Sequence, residues 1–139
     1  MKALPPHLLA VDPGREKVGL ARVSLEGAIL WRSIAPRSQL ERVLAELAVQ
    51  APDAVVIGDG TTSKEAKRLL ERAFGAERVH QVDEKHSTLE ARGLYFADNP
   101  PRGLWRLVPL SMQSPPVSID DYAAVVLARR WLATRPPSC

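Results

Sequence analysis

The sequence predicts an α/β domain built on a mixed five-stranded sheet, three strands forming an antiparallel meander and two running parallel, with helices on its faces. Two observations carry that expectation. The stretch LLAVDPGREKVGLARV (8–23) is a pair of apolar runs hinged on a Pro-Gly turn, and a third run follows Glu26-Gly27, which is the pattern of a meander. Two later apolar runs each lead into a helical periodicity, which is the pattern of βα units. At 139 residues the chain suits one domain with a proper core. Residues 1–134 are expected to form it, with 135–139 as a disordered tail.

Leu8 to Val11 run without polar interruption, as a central strand covered on both faces would. Pro13-Gly14 stops that strand, Arg15, Glu16 and Lys17 make a charged loop, and Val18 to Val23 returns. Gly19 and Ala21 are small enough for another backbone to come close. Residues 28–34 read as the third strand, with Ile29 and Trp31 on one face. Ser38 and Glu41 form a capping box for a helix over 38–50, whose apolar stripe is Leu40, Val43, Leu44 and Leu47. Ala54 to Ile57 is a buried strand running into a glycine-rich turn. A helix over 63–74 follows, ending at Gly75. Residues 78–82 make the last strand, and Ser87 with Glu90 caps a helix over 88–97. Between 98 and 117 five prolines and no clean period predict a long ordered loop or flap, a kind that tends to carry function. A final helix spans 118–134.

Composition narrows the function classes. Lys plus Arg outnumber Asp plus Glu by 19 to 16, mostly through arginine, so a nucleic-acid partner is permitted but not required. The single cysteine, Cys139, excludes a disulfide framework and a cysteine metal site. The N-terminal apolar run is too short for a signal peptide or membrane span, so the expected place is the cytoplasm, with no membrane partner.

Carboxylates stand at element ends in three separate places: Asp12, Asp83-Glu84 and Asp120-Asp121. Asp before Pro-Gly is also ordinary turn chemistry, and that stretch alone does not choose between a turn opener and a working group. Taken together, the three places can meet at one edge of a sheet. In the last helix Asp120 shares a face with Ala123, Ala124 and Leu127, and Asp121 lies about 100° further round, which makes Asp120 the inward acid. Oxygen donors without Cys or His suit Mg²⁺ or Mn²⁺ better than Zn²⁺. Gly58, Gly60, Thr61 and Thr62 look like a phosphate cradle, but no Gly-Lys-Thr follows, which argues against a Walker-type nucleotide site.

The segments AVDPGREKVGLA (10–21), VVIGDGTT (55–62), VDEKHSTLEAR (82–92) and DDYAAVVLARRWL (120–132) resemble the YqgF family of ribonuclease H-like nucleases, a group described as Holliday junction resolvases or pre-16S rRNA processing nucleases. PPRGLWRLVP (100–109) resembles one subgroup of it. The resemblance implies a ribonuclease H-like sheet with Asp12, Glu84 and Asp120 as the catalytic, metal-holding acids. It also implies Mg²⁺ or Mn²⁺ as cofactor, and phosphodiester hydrolysis in structured or branched DNA or in precursor 16S rRNA. The family's Asp-x-x-Ala-Ala pattern fits Asp120, Ala123 and Ala124. Many members carry Gly-Leu-Pro where this chain has Gly58-Asp59-Gly60, leaving Asp59 as either a further ligand or an Asx turn.

Arg15, Lys17, Lys85, Arg102 and Arg106 are the candidate phosphate contacts, set against their reading as solvated surface. Trp105 could stack on an unpaired base or anchor its loop to the core. His86 could assist proton transfer or serve as a helix-start residue. One rival is a nucleic-acid-binding module of the same fold with weak or lost catalysis. A second, an actin-like phosphotransfer fragment, lacks the length for two lobes. Cutting two strands of a junction would need two active sites and hence a homodimer, whereas end trimming would not.

Overall fold

The computed structural model describes residues 4–60, 62–109, 115 and 117–134, the side chain of Trp105 excepted. Strand β1 (His7–Pro13) lies at the centre of a five-stranded sheet. β2 (Lys17–Ser24) and β3 (Ile29–Pro36) continue from it as an antiparallel meander. β4 (Ala54–Gly58) and β5 (Val79–Val82) add on its other side in parallel, giving the order β3-β2-β1-β4-β5. The helices are α1 (Leu40–Leu47), α2 (Ser63–Phe74), α3 (Ser87–Asp98) and α4 (Asp120–Thr134). This is the expected mixed sheet flanked by helices.

The period-2 alternation of β1 sorts the core into two layers. Leu9 and Val11 face Leu40, Leu44 and Leu47 of α1 and Leu70 and Phe74 of α2. Leu8 and Ala10 face Ala124, Val125, Leu127 and Ala128 of α4. A third cluster joins Ala91 of α3 to Tyr122, Ala123 and Val126 of α4. Helix α4 is therefore sandwiched between sheet and α3 and is buried continuously from Asp121 to Ala128. A helix apolar all round belongs inside, which is why this one shows no clear polar stripe.

Four local expectations are corrected. Ile29 and Trp31 do not share a face: Arg22 pairs with Trp31 and Val23 with Ile29, so Leu30 is an extra residue in β3. That bulge turns Ile29 toward the α4 layer and Trp31 toward the α1/α2 layer. The helix expected over 38–50 is α1 between two 3₁₀ turns, Arg37–Gln39 and Ala48–Gln50. Neither capping box forms: α1 starts after Gln39 and α3 after His86, each without a side-chain cap. Ser87 is already inside α3, and His86 makes the entry turn with a left-handed φ of 63°. The 98–117 stretch contains a 3₁₀ segment, Gly103–Leu107, while 110–114, 116 and the tail at 135–139 lie outside the described residues.

Beyond the sheet edge, a polar group is buried at the N-terminal end of β1. His7 Nδ1–H donates to the Pro5 carbonyl, leaving Nε2 to accept from Arg22, which also donates to the carbonyls of Leu47, the last residue of α1, and of Gln50, the last of the 3₁₀ turn after it. Burial lowers the Arg22 pKa, and these acceptors keep the cation in place. Among the described residues no helix is long and apolar enough to cross a membrane.

Candidate active site

Three missing side chains shape the C-terminal edge of β1. Asp12 pairs with Gly19 of β2, and a Cβ at Gly19 would overlap the backbone of Asp120 and Asp121. The first turn of α4 thus lies directly on β2, across from Asp12, at a separation only glycine allows. On the other flank β4 continues from Ile57, the partner of Val11, into Gly58 and Gly60. The Glu84 carboxylate occupies the space where Cβ atoms of Gly58 and Gly60 would stand. Asp120 and Glu84 are thereby brought to the two sides of Asp12.

The electrostatics show the same convergence. Asp12 has its pKa raised from 3.8 to about 7, by burial first and then by the charges of Glu84 and Asp120. Glu84 is raised as well, by burial, then by Asp59, against a lowering hydrogen bond from the Gly60 backbone, with Asp83 adding to the rise. Asp59 ties the ends of the two parallel strands together. Its Oδ1 accepts the Glu84 N–H at 3.2 Å and its own N–H donates to the Val82 carbonyl at 3.1 Å, which fixes the β5 exit against β4. Asp120 accepts a hydrogen bond from the Ser118 hydroxyl at 3.1 Å.

Asp120 is not the inward acid that helical spacing predicts. Asp121 is the more buried acid, 8% exposed, because α4 is enclosed on several sides. It is committed elsewhere: Arg32 Nη1 lies 2.6 Å from its Oδ2, and its Oδ1 accepts the Tyr122 N–H at 3.0 Å. The same guanidinium sits 4.1 Å from the Tyr122 ring centre, and the Tyr122 hydroxyl donates to Asp98 at 2.8 Å. Asp121 pins the α4 terminus to β3, and Asp120 is left facing Asp12.

The three acids share one neighbourhood, but among the described residues no three His, Cys, Asp or Glu side chains are grouped as a ready-made ion cage. The donor chemistry nevertheless fits a hard divalent cation. None of the three carboxylates is in an ion pair among the described residues, burial and then the charges of Glu84 and Asp120 raise the proton affinity of Asp12, and a Mg²⁺ or Mn²⁺ ion would offset that crowding.

Arginines that sequence reading missed brace the surroundings. Arg37 donates to the Gly14 carbonyl at 2.6 Å and the Thr62 carbonyl at 2.9 Å, and Thr62 Oγ1 donates to the Pro13 carbonyl at 2.7 Å. The turn after Asp12 is thereby tied to the start of α2. Arg130 of α4 donates to the Asp83 carbonyl and to Glu90, both at 2.7 Å, holding the segment that carries Glu84. No spacing or periodicity signals these long-range bonds.

Of the candidate nucleic-acid contacts, Arg15 and Lys17 are exposed on the β1–β2 turn next to Asp12, and Lys85 is exposed next to Glu84. Arg102 and Arg106 are exposed along the 98–117 stretch, and Arg106 bonds back to Gly103 at 3.3 Å. No hydrogen bond or ion pair among the described residues links them to the three acids. The side chain of Trp105 lies outside the described residues. His86 is exposed in its entry turn.

No family model matches the chain. It is 33% identical over 105 residues to a Pseudomonas putida protein provisionally named a pre-16S rRNA nuclease, a match spanning 68% of this chain and 66% of that relative's length. In fold it is similar to Thermus thermophilus RuvC, with a TM-score of 0.54 at 17% identity over 88% of this chain and 90% of the other. It is also similar to T. thermophilus RuvC in complex with a Holliday junction substrate, with a TM-score of 0.50 at the same identity and coverage. The structural likeness shows the fold. The chain belongs to the YqgF family, on a ribonuclease H-like fold.

Proposed function

We propose that the protein is a divalent-metal-dependent nuclease of the cytoplasm that hydrolyses phosphodiester bonds in structured or branched DNA or in precursor 16S rRNA. The observation that carries this reading is Asp12 held between Glu84 and Asp120, with a pKa lifted to about 7. A binding module would gain nothing from three mutually repelling acids at the edge of its sheet, whereas a metal-dependent hydrolase needs such a site. Asp12, Glu84 and Asp120 would hold Mg²⁺ or Mn²⁺, which when bound supplies an activated water and stabilisation of the leaving oxygen. The chain's own contribution is placement. Gly60 and Asp59 fix Glu84, Gly19 admits Asp120, and the Arg32–Asp121 pair holds the α4 terminus. Arg15, Lys17 and Lys85 line the approach for backbone phosphates, with Arg102, Trp105 and Arg106 further along the loop. A homodimer would serve two-strand cleavage.

The test is cleavage of a four-way DNA junction and of an rRNA precursor with Mn²⁺, Mg²⁺ or EDTA, by wild type and Asp12→Asn. Metal-dependent cutting by the wild type alone is expected. Equal cutting by both proteins would assign the activity to another site or a contaminant.

A further inference from the structure

Beside the acids, on the far side of the turn after Asp12, lies an open cavity of about 370 Å³ lined by Arg15, Arg37, Thr62, Lys64 and Glu65. Its charge is lopsided. Three cations from three parts of the chain meet there with one carboxylate, and that carboxylate, 79% exposed, stands 3.9 Å from Arg37. Arg15 and Lys64 make no hydrogen bond or ion pair among the described residues. The Arg37 guanidinium donates to the Gly14 and Thr62 carbonyls, which fixes it at the wall with N–H groups to spare. The wall is shared with the catalytic turn, because Thr62 also donates to the Pro13 carbonyl. At most about 10 Å of extended chain separates Asp12 from Arg15, which keeps the cavity within reach of a strand whose phosphodiester lies at the acids.

We propose that this cavity is a phosphate subsite that grips a backbone phosphate of the substrate strand near the bond being cut. Lys64 and Arg15 make the ionic contacts and Arg37 supplies a fixed positive wall. The inference rests on the nuclease reading and deepens it: it adds Lys64 and Arg37, which no motif marked, and gives the acids a register along the strand. A rigid cationic pocket one turn away from the reacting group positions the strand, since phosphate contacts set register without reading sequence.

The test measures binding without chemistry. In EDTA, a labelled four-way DNA junction and a labelled structured RNA are titrated with wild type, Arg15→Ala/Lys64→Ala, and Arg129→Ala across a salt series. Arg129 lies on α4, on the opposite face of the sheet, and serves as a control for losing a cation away from the cavity. The double variant should bind on the order of tenfold more weakly, with the slope of log K against log salt reduced by about one for each cation removed. Arg129→Ala should match the wild type. Wild-type binding with an unchanged affinity and slope in the double variant overturns the subsite. If the wild type binds neither nucleic acid, the nuclease reading fails, and the cavity is decided by amide NMR with inorganic phosphate. Shifts at Arg15 and Lys64 that vanish in the double variant uphold an anion site there, and their absence in the wild type overturns it.

Discussion

Asp12→Asn should stabilise the metal-free protein in a pH-dependent way while removing its activity. In the folded chain Asp12 titrates near 7, against 3.8 for an ordinary aspartate. Over that window the folded state keeps a proton that the unfolded chain has released, so raising the pH draws the equilibrium toward unfolding. The loss begins above the unfolded value and is complete once the pH passes the folded one. A tenfold difference in proton affinity is worth about 1.4 kcal/mol, so linkage gives a wild-type loss of about 2 to 3 kcal/mol between about pH 5 and pH 8. Asparagine does not titrate there, so subtracting the two proteins' pH dependences isolates this group from every other one. The assay is urea unfolding of both proteins in EDTA at a series of pH values. The variant's advantage should grow toward pH 8 by that amount and shrink when Mn²⁺ is added, because the ion stabilises the wild type more. A difference between the proteins that stays flat with pH would refute the view that Asp12 is held buried and beside Glu84 and Asp120.

The glycines give a paired prediction. Gly60→Ala displaces only the flexible end of Glu84, so urea stability should change by less than about 1 kcal/mol while the cleavage rate falls on the order of a hundredfold. Gly19→Ala meets the backbone of Asp120 and Asp121 instead, and should cost on the order of 3 kcal/mol in the same unfolding assay. Arg32→Ala leaves Asp121 without its cation and should lower stability by on the order of 2 kcal/mol, read as a drop in Tm, together with slower cleavage.

What was legible in the sequence follows from range. The meander, the two parallel strands and α2 over Ser63–Phe74 rest on local periodicity and on glycine and proline punctuation, and these were read correctly. The bulge at Leu30 was not, because one extra residue leaves no mark in composition yet reverses which face Trp31 takes. The serine boxes at 38 and 87 failed because the chain entered each helix through a tighter turn, in one case using a left-handed His86. For the site, the acids were visible as carboxylates at element ends. The glycines that let them approach were visible only as small residues, since what a missing Cβ makes room for depends on elements dozens of positions away. Arg37 and Arg130 were invisible for the same reason: each acts through backbone carbonyls, which any residue can offer.

Asp120 and Asp121 show why neighbouring acids on one helix take different parts. Both sit in the first turn of α4, where a carboxylate is favoured by the unsatisfied N–H groups. The two differ in what stands opposite. Asp121 meets Arg32 from β3, whose guanidinium also covers Tyr122, so its charge is neutralised and it holds the helix terminus down. Asp120 meets Gly19 and, beyond it, Asp12, so its charge is opposed by another of the same sign. The Arg32–Asp121 attraction thus supplies the restraint that keeps Asp120 beside Asp12, whose proton affinity it helps to raise. A site meant to receive a cation needs that division, one acid paired so that the other can stay unpaired.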